Sequence, residues 1–558
     1  MTRPVDLLRE NKKEEMWQMC CGFMDLSIEQ FMTIQRRLMQ EQIELLKASQ
    51  LGRKIMRGAM PSSIDEFRSV VPLTTYGDYI PELTEKQVET LPARPEQWVR
   101  TSGYTGKYET KWIPLSEASV VELEKLCGAI AIMGLANYKG DMSKMRQHLK
   151  VLSTFATPPY YSGVLAEQLR KAINCDFLPE NVEGLSFTDK IKEGFVQALD
   201  QGLDGFGGLP SVLVTVGEQL RSQSNHVDVR KLLRRRGALL RVMKGFAKSK
   251  LAGRPMLPKD MWNVSAILGG GTDAAVFRKR VVELWGRAPL ELYAGSEGGI
   301  YAMQAWDYDT MTFTPGLNFY EFIPEREQMK AQIDHSHTPK TVLLDEVQAG
   351  ETYEVVITNL HGGALTRYRI GDVVRITSLR NEAAGIELPQ MVFERRADDL
   401  IDIAGFGRLT ERVIWEAIEA TGVPYIDWTA RKEVNDDHAV MHLYVETSQS
   451  PAPSETAFES MLYQAFRELD KRYNFNIYSI FGEEEEPPEN LPLRVSYLPS
   501  GAFARFITRR QNEGADLGHL KPAHINASDA TIEALAQPAI EVERVATAPA
   551  SRTETVTA

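Results

Sequence analysis

The chain has 558 residues, more than one hydrophobic core usually supports, so we expect at least two domains. Its hydrophobic content of 43% and charged content of 25% are ordinary for a globular protein. A net charge of -12 argues against nucleic acid as the main partner, because most of the surface would repel a phosphate backbone.

The cysteines and the apolar runs indicate where in the cell we expect the protein. Four cysteines, at positions 20, 21, 127 and 175, form neither a zinc spacing nor a disulfide framework. The N-terminal residues lack the apolar segment of a signal peptide, and the apolar run CGAIAIMGLA is too short to span a bilayer. We therefore expect a cytoplasmic protein that has no membrane partner.

The first part of the chain reads as mostly helical. Residues 5–60 carry apolar residues every three or four positions, and Ser62-Ser63 begins a further short helix. Residues 116–140 and 161–172 also read as helices. Between them, VLSTFATPPY (151–160) reads as a buried strand that ends in Pro-Pro.

A run of small and hydroxylated residues precedes the second group of helices. Residues 100–112 read RTSGYTGKYETKW, and its glycines allow successive backbone N–H groups to approach one ligand. Such a nest with hydroxyls and a lysine suits a polyphosphate, although a Gly/Ser turn between two strands is the alternative. The run is not a Walker loop. The candidate phosphate-binding residues are Thr101, Ser102, Gly103, Thr105, Gly106 and Lys107.

Two further segments leave alternatives open. GFGGLPSVLVTVGEQLRS (205–222) is either a ligand-lining turn or a plain helix start. The basic residues between 230 and 259 favour a solvated helical face, and the other reading is a site for an anionic cofactor tail.

Strands and helices alternate over residues 262–315, as in an α/β sheet, and glycines follow two of these strands. Residues 319–376 then read as four strands, FYEFIP, TVLLDEV, ETYEVVITN and RYRIGDVVRIT, which predict an antiparallel β unit appended to the sheet. The polar segment after residue 395 predicts a domain boundary. Residues 410–524 read α-β-β-α-β-α, and residues 525–558 read as a disordered tail.

Three short runs after residue 290 carry acidic or basic side chains, two of them at glycine turns. YAGSEG (293–298) places Glu297 in a Gly-rich turn after a strand, where its carboxylate is suited to Mg²⁺. RYRIGD (367–372) places Asp372 on a second glycine turn, where it is either a ribose ligand or part of a plain hairpin turn. RRADD (395–399) places Arg396 beside the expected domain joint.

The order and spacing of these runs resemble the adenylate-forming enzymes, which include acyl-CoA synthetases, adenylation domains and luciferases. TSGYTGK is similar to their phosphate loop, with Tyr104 where a threonine is usual. LGGG with YAGSEG is similar to the adenine and Mg²⁺ site, YRIGD to the ribose-binding motif, and RRADDLIDIAGFG to the hinge.

Within that superfamily, two flanking stretches resemble the plant auxin-responsive acyl acid–amido synthetases. They are VPLTTYGDYIP (71–81) and LPSGAFARFITRRQNEGADLGHLKPAHI (498–525). The basic residue that usually follows Lys-x-Pro is not kept, since residues 521–524 read Lys-Pro-Ala-His.

The resemblance implies an α/β fold with a large N-terminal adenylate-forming domain (1–395, α/β sheets plus a β unit), a smaller, mobile α+β C-terminal domain (396–525) and a tail (526–558). It implies ATP and Mg²⁺ as cofactors. It assigns Glu297 and Thr105 to the metal, Asp372 and Arg396 to the ribose, and Lys521 to the charge at the α-phosphate. The nucleotide site would be completed by Gly270, Gly271, Tyr293, Ala294, Gly295 and Ser296.

The resemblance also implies the reaction. A carboxylic acid would be activated as an acyl-adenylate and then conjugated to an amine such as an amino acid, with CoA as the alternative acceptor. Two other classes remain as alternatives. AGSEG resembles a serine hydrolase elbow with Ser296 as nucleophile, and the same fold could serve a non-catalytic acyl or nucleotide binder. The hydrolase reading leaves the phosphate loop unexplained, and a binder has no need of Glu297 as a metal ligand.

Overall fold

The computed structural model describes residues 2–101, 111–180, 187–208, 210–223, 235–269, 274–333, 337–397, 400–403, 407–435, 438–448, 451–473, 493–512 and 521–538. The chain divides into two compact units. The first comprises Met1–Asp399 with Arg510–Leu520, and the second comprises Leu400–Arg509 with Lys521–Ala558.

The first unit begins with a helical segment, as the sequence predicts. Its longest helix starts at Ser27, whose hydroxyl accepts from the backbone N–H of Gln30 at 3.3 Å while the Gln30 side chain accepts from the backbone N–H of Ser27 at 2.9 Å. This reciprocal cap satisfies two donors that a helix start leaves unpaired.

The helices of the first unit are α1 (Pro4–Arg9), α2 (Lys13–Cys21), α3 (Ile28–Ala48), α4 (Gln50–Ile55), α5 (Ile64–Val70), α6 (Glu117–Leu135), α7 (Tyr161–Ile173), α8 (Phe187–Gln201), α9 (Pro210–Gln223), α10 (Arg236–Leu251), α11 (Pro258–Met261), α12 (Ala274–Trp285) and α13 (Glu325–Ile333). Short 3-10 turns lie at Gly22–Asp25, Tyr76–Tyr79, Val88–Thr90 and Leu344–Glu346.

The strands of the first unit are β1 (Pro95–Arg100), β2 (Trp112–Ser116), β3 (Lys150–Ser153), β4 (Asp176–Leu178), β5 (Gly205–Gly208), β6 (Ala266–Gly269), β7 (Leu290–Gly295), β8 (Gly299–Gln304), β9 (Met311–Phe313), β10 (Asn318–Pro324), β11 (Thr352–Asn359), β12 (Tyr368–Ser378) and β13 (Gln390–Arg396). β1 and β2 form an antiparallel pair.

The described strands β3 to β13 form one eleven-stranded sheet, in the order β10-β11-β12-β13-β9-β8-β7-β6-β5-β3-β4. Strands β4, β3, β5, β6 and β7 are parallel, and the pairs from β7 to β10 are antiparallel. Strand β7 therefore belongs to both halves. The antiparallel unit predicted from the sequence is not appended to the α/β sheet but continues it, because β13 pairs with the short strand β9.

Two predicted strands differ from the structure. The segment 341–347 pairs only through an isolated bridge between Phe322 and Val342 and then turns into the 3-10 turn Leu344–Glu346. The segment 151–160 is a strand only to Ser153. The segment 205–222, left open from the sequence, is a buried strand β5 followed by helix α9.

The apolar run CGAIAIMGLA lies in α6, which is buried against the sheet and α7. No helix in the described ranges combines the length and apolarity needed to cross a bilayer. Helix α10 exposes Lys244, Lys248 and Lys250 to solvent, in agreement with a solvated basic face.

The second unit contains two small sheets and helices on them. Its strands are β14 (Leu400–Ile403), β15 (Gly407–Thr410), β16 (Tyr425–Asn435), β17 (His438–Thr447) and β18 (Leu493–Tyr497), and its helices are α14 (Glu411–Thr421), α15 (Glu455–Tyr473), α16 (Ala502–Asn512) and α17 (Asp529–Ala536). β14 pairs with β15, and β16-β17-β18 form the larger sheet. The prediction of a disordered tail is wrong for residues 526–538, because Ser528 caps α17 and Ile532 and Leu535 are buried.

Candidate active site

The turn that carries Glu297 lies where the two halves of the large sheet meet. Strand β7 ends at Gly295, residues 296–298 form a turn, and β8 returns antiparallel from Gly299. The side-chain amides of Asn318 and Asn359 donate to the carbonyl oxygens of Gly298 and Glu297 at 2.7 and 3.0 Å. The predicted strand–turn–strand is therefore confirmed, and two side-chain amides hold the turn in place.

The carboxylate of Glu297 is held by Lys111, a lysine near the end of the run 100–112. Lys111 Nζ lies 3.1 Å from Glu297 Oε1 and also donates to Tyr368 Oη at 3.1 Å. Ser296 Oγ donates to Glu297 Oε2 at 3.1 Å. Burial alone would raise the pKa of Glu297, but attraction to Lys111, with a smaller effect of Arg396, lowers it below the ordinary value. Glu297 is therefore an anion at neutral pH.

The two ends of the candidate phosphate loop are paired with each other. The backbone N–H of Thr101 donates to the carbonyl of Lys111 at 2.9 Å, and the backbone N–H of Lys111 donates to Thr101 Oγ1 at 3.0 Å. The remaining predicted loop residues and two glycines after β6 lie outside the described residues, namely Ser102, Gly103, Thr105, Gly106, Lys107, Gly270 and Gly271.

Asp372 and Arg396 are directly opposite partners on the neighbouring strands β12 and β13. Arg396 Nη1 lies 3.0 Å from Asp372 Oδ1, and Tyr293 Oη donates to Asp372 Oδ2 at 2.9 Å. The side chain of Asp372 is buried. This burial raises its pKa above the ordinary value, although Arg396 and Tyr293 act in the other direction.

The sequence placed Asp372 on a turn, and the structure corrects this. Asp372 lies inside β12, where the pairing with β11 shifts register between Arg369 and Val373. Gly371 in this irregular stretch has φ +80°, a conformation that glycine adopts readily. The irregularity, rather than a hairpin turn, is what presents the carboxylate.

The two carboxylates belong to one cluster in the first unit. Tyr368 and Asp372 both lie on β12, and Tyr293 lies on β7, the strand that leads into the Glu297 turn. In electrostatic terms Glu297 raises the pKa of Asp372, and Arg396 lowers the pKa of Glu297. Groups that shift a neighbour's pKa in this way lie near that neighbour.

Asp372 keeps an acceptor for a ligand. Its Oδ1 is buried and is an ion-pair partner of Arg396, yet it accepts no hydrogen bond from any group that the structure describes. Buried oxygens usually have a hydrogen-bond donor, so the hydroxyl of a ribose fits this atom. For Mg²⁺, Glu297 supplies a hard carboxylate ligand of the right type, now paired with Lys111.

The other predicted residues of the first unit that the structure describes surround this cluster. Tyr293 is buried and hydrogen-bonds Asp372, whereas the side chain of Ala294 is exposed. Sequence reasoning did not include Lys111 or Tyr368 in the site. The position of Lys111 directly after the loop, ahead of β2, is the signal that could have identified it.

Ser296 is not arranged as a hydrolase nucleophile. Its hydroxyl donates to the adjacent Glu297 carboxylate. Among the histidines of the first unit that the structure describes, His361 bonds the Gly316 carbonyl at 2.8 Å and His337 bonds Glu327 at 2.9 Å. Neither ring hydrogen-bonds Ser296.

Lys521 lies in the second unit beside a buried cluster of charges. Lys521 Nζ lies 3.1 Å from Asp427 Oδ2, and the other oxygen of Asp427 lies 2.9 Å from His524 Nε2. Glu411 lies 2.6 Å from His524 Nδ1. Burial alone would lower the pKa of His524, but hydrogen bonds to Asp427 and Glu411 raise it to about 9.

Two segments of the chain match domain models of a known protein family. Residues 21–171 match the GH3 family N-terminal domain, and residues 311–396 match the GH3 family central domain. These two stretches of the chain are thus similar to GH3 domains. This confirms the resemblance found in the sequence, and the central domain contains both Asp372 and Arg396.

Curated GH3 relatives match only part of their own length. The chain is 26% identical over 243 residues to the 4-substituted benzoates–glutamate ligase GH3.12 of Arabidopsis thaliana. This match covers 40% of this chain and 38% of the ligase. It is 30% identical over 171 residues to the jasmonoyl–L-amino acid synthetase JAR4 of Nicotiana attenuata. This match covers 29% of this chain and 26% of the synthetase. The chain thus spans well under half the length of these two relatives.

Solved structures confirm the fold over nearly the whole chain. An AtGH3.15 acyl acid amido synthetase in complex with 2,4-DB superposes with a TM-score of 0.60 at 15% identity, covering 96% of both chains. A 2-hydroxyisobutyryl-CoA ligase in complex with 2-HIB-AMP superposes with a TM-score of 0.56 at 16% identity, covering 91% of both chains. The expected α/β fold is confirmed.

Proposed function

We propose that this chain is an ATP-dependent ligase that activates a carboxylic acid as an acyl-adenylate and conjugates the acyl group to an amino acid. The observation that carries the proposal is the buried acceptor oxygen of Asp372 in the same cluster as the ionised Glu297. A serine hydrolase has no use for this pair, whereas a nucleotide with a bound cation requires both a hydroxyl acceptor and a hard anionic ligand.

The residues divide the work by position. Asp372 Oδ1 accepts from a ribose hydroxyl, and Arg396 holds Asp372 in place from the opposite strand. Glu297 and, by resemblance, Thr105 hold Mg²⁺, which would neutralise charge on the phosphates. Attack of the acid on the α-phosphorus needs no protein nucleophile, because positioning and charge stabilisation suffice.

Lys111 gives the first unit a cation of its own. Its ammonium is partly buried between Glu297 and Tyr368, so a polyphosphate that approaches the loop ends meets a positive charge there. Lys521, in the second unit, is assigned to the charge at the α-phosphate by resemblance alone. Thr101 through Lys107 would bind the β- and γ-phosphates.

An amino acid is favoured over CoA as the acceptor. The benzoates–glutamate ligase and the jasmonoyl–amino acid synthetase conjugate acids to amino acids by name, and both match this chain in sequence. The CoA ligase resembles it in fold only, at 16% identity. The exposed lysines of α10 are an ordinary solvated face, so they give CoA no specific support.

The four cysteines are free and buried, which fits a reducing cytoplasm.

The test is a competition between acceptors. The full chain is supplied with ATP, Mg²⁺, CoA, a panel of carboxylic acids and a mixture of amino acids, and pyrophosphate release and product masses are measured. We expect AMP and pyrophosphate only when a suitable acid is present, together with an amide product. Release of ADP and phosphate would contradict adenylation. A thioester as the sole product, with no amide when CoA is left out, would assign the chain as an acyl-CoA ligase.

A further inference from the structure

Two tyrosine hydroxyls in the first unit are buried without a hydrogen-bond partner among the described residues. They belong to Tyr161 at the start of α7 and Tyr301 on β8. The residues are 8% and 0% exposed. Other buried tyrosines of this unit are bonded: Tyr320 Oη donates to the Tyr301 carbonyl at 3.1 Å, and Tyr293 Oη donates to Asp372.

A strand irregularity sets the position of Tyr301. Tyr293 pairs with Ala302 and Ala294 pairs with Ile300, so Tyr301 is an extra residue that has no partner on β7. Such bulges redirect a side chain and occur beside active sites. Here the bulge lies within a few residues of Glu297.

The two hydroxyls lie over two glycines that face each other across the same hairpin. Gly295 and Gly299 are direct cross-strand partners and flank the Glu297 turn. A Cβ added at Gly295 would lie 3.0 Å from Tyr301 Oη, and one added at Gly299 would lie 3.3 Å from Tyr161 Oη. Cross-strand partners project to the same face of a hairpin, so both hydroxyls lie on one face of this turn.

The hydroxyls are close enough to influence each other and are both protonated. Tyr161 contributes to raising the pKa of Tyr301, and burial raises the pKa of both phenols well above their usual range. Each is therefore a neutral hydroxyl that can donate a hydrogen bond. Leu317 packs on Gly299 and Cys127 lies near Tyr161, whereas the carboxylates of Glu297 and Asp372 act on Tyr301.

Neutral donors near these two carboxylates suit an uncharged oxygen better than a phosphate, which the carboxylates would repel. Small-molecule sites are typically apolar surfaces with a few fixed polar groups that set orientation. A buried hydroxyl without a partner is costly, and a ligand oxygen removes that cost.

We propose that Tyr161 and Tyr301 recognise an oxygen atom on the acyl group of the acid, such as a hydroxyl or keto oxygen beyond the carboxylate. This rests on the proposed function, because the acid must lie beside the Glu297 turn to be activated there. The substrate class is accordingly an oxygen-substituted carboxylic acid. Sites built to pair with a substrate oxygen discriminate strongly against the analogue that lacks it.

The test uses pairs of acids that differ by one oxygen: benzoate with para-hydroxybenzoate, phenylacetate with para-hydroxyphenylacetate, and hexanoate with its keto derivatives. Binding to the full chain with AMP present is measured by calorimetry, and pyrophosphate release is measured in parallel. Wild type is expected to prefer the oxygenated member of at least one pair. Tyr161→Phe and Tyr301→Phe should each weaken binding of that member about tenfold to a hundredfold, with the deoxy acid unchanged or improved.

Tyr320→Phe is the matched control. It removes a buried hydroxyl from the same core, but one that already has a protein partner, so it should leave the preference between acids unchanged. The inference is overturned if wild type shows no preference, if both variants keep it, or if they weaken both members of a pair equally. An oxygen preference that the two variants abolish, in a protein that releases no pyrophosphate, would support the inference while contradicting the proposed ligase activity.

Discussion

Asp372 and Arg396 face each other across β12 and β13, with Arg396 Nη1 3.0 Å from Asp372 Oδ1. The pair unites two motifs that lie 24 positions apart in the chain. Because a ladder fixes the two backbones, the guanidinium holds the carboxylate without a flexible loop between them. The Asp372 carboxylate is thus already in position before a hydroxyl donor binds.

The first prediction concerns Asp372→Asn. Removing the anionic acceptor should raise the KM for ATP about tenfold or more, because an amide is a weaker acceptor for the ribose hydroxyl and loses its pairing with Arg396. Steady-state pyrophosphate release at varied ATP measures this. Glu354→Gln is a suitable control, since Glu354 is a buried acid on the adjacent strand β11 that pairs with Arg369 instead. An unchanged KM in Asp372→Asn would contradict the ribose assignment.

The same variant has an expected effect on stability with a definite sign. Burial raises the pKa of Asp372 in the folded protein. A carboxyl with a raised pKa favours folding most below its unfolded pKa, and this contribution is lost as pH rises through the folded pKa. At pH 7 Asp372 is therefore no asset to stability, so Asp372→Asn should keep or raise the Tm while ATP binding weakens. A clear drop in Tm would show that its ion pair outweighs its burial.

The second prediction is that Glu297→Gln nearly abolishes adenylation. The amide keeps the shape but loses the charge that a metal ligand requires, which should cost on the order of 3 kcal/mol, about a hundredfold in kcat. Glu291→Gln, on strand β7 that leads into the Glu297 turn and next to Arg278, serves as the control. Both variants are assayed at saturating Mg²⁺, and near-normal turnover of folded Glu297→Gln would overturn the metal assignment.

The third prediction uses Lys111→Met to shift a pH profile. Burial dominates the environment of Glu297, and Lys111 is the largest influence that keeps its pKa low. Without the ammonium, Glu297 should take up a proton at a higher pH. The acid limb of the rate–pH profile should therefore move to higher pH in Lys111→Met. Lys125→Met, which breaks the surface pair with Glu122, is the control. Acid limbs that coincide would show that Lys111 does not control Glu297.

The sequence predicted the elements that local pattern determines. The turn at Glu297 follows a strand because Gly-rich residues interrupt an apolar run, and helix α7 (Tyr161–Ile173) lies where the sequence predicts a helix over residues 161–172. It failed where long-range pairing decides. The isolated bridge of Val342 and the pairing of β9 with β13 depend on residues far away in the chain.

The site shows the same division. A Gly-Asp pair is a common turn signal, so the sequence predicts Asp372 on a turn. In the structure, pairing with the neighbouring strands makes this residue part of β12. Lys111 could not be assigned to Glu297, because 186 positions separate them. The tail was predicted as disordered from its composition, yet Asn526 N–H pairs with the Ala430 carbonyl at 2.8 Å. Partners on other elements, invisible to local composition, order this segment.

The fourth prediction separates the ligase from the hydrolase. Ser296→Ala removes one hydrogen bond to Glu297 and should lower adenylation only a few-fold, in line with a bond of about 1 kcal/mol. A hydrolase nucleophile, by contrast, contributes several orders of magnitude. The rates of pyrophosphate release and of ester hydrolysis are compared for wild type and variant. An esterase activity that Ser296→Ala eliminates would restore the hydrolase reading.

The last prediction concerns His524, which joins Asp427 and Glu411 and stacks on Trp428 with ring centroids 4.4 Å apart. Burial alone would lower its pKa, but hydrogen bonds to Asp427 and Glu411 raise it from 6.5 to about 9. A raised histidine pKa stabilises the fold fully below pH 6.5, and this contribution is lost as pH rises through about 9. The shift corresponds to about 3 kcal/mol.

His524→Gln should therefore destabilise the second unit most at pH 6 and least near pH 10. Hydrogen exchange of the Ala430 and Asn526 amides, which pair with this segment, measures the effect locally. His148→Gln is the control, because His148 lies in the first unit with its side chain 67% exposed. A gap between wild type and His524→Gln that stays constant from pH 6 to pH 10 would show that a neutral ring suffices. A narrowing gap would show that the charge of His524 holds the segment containing Lys521 against β16.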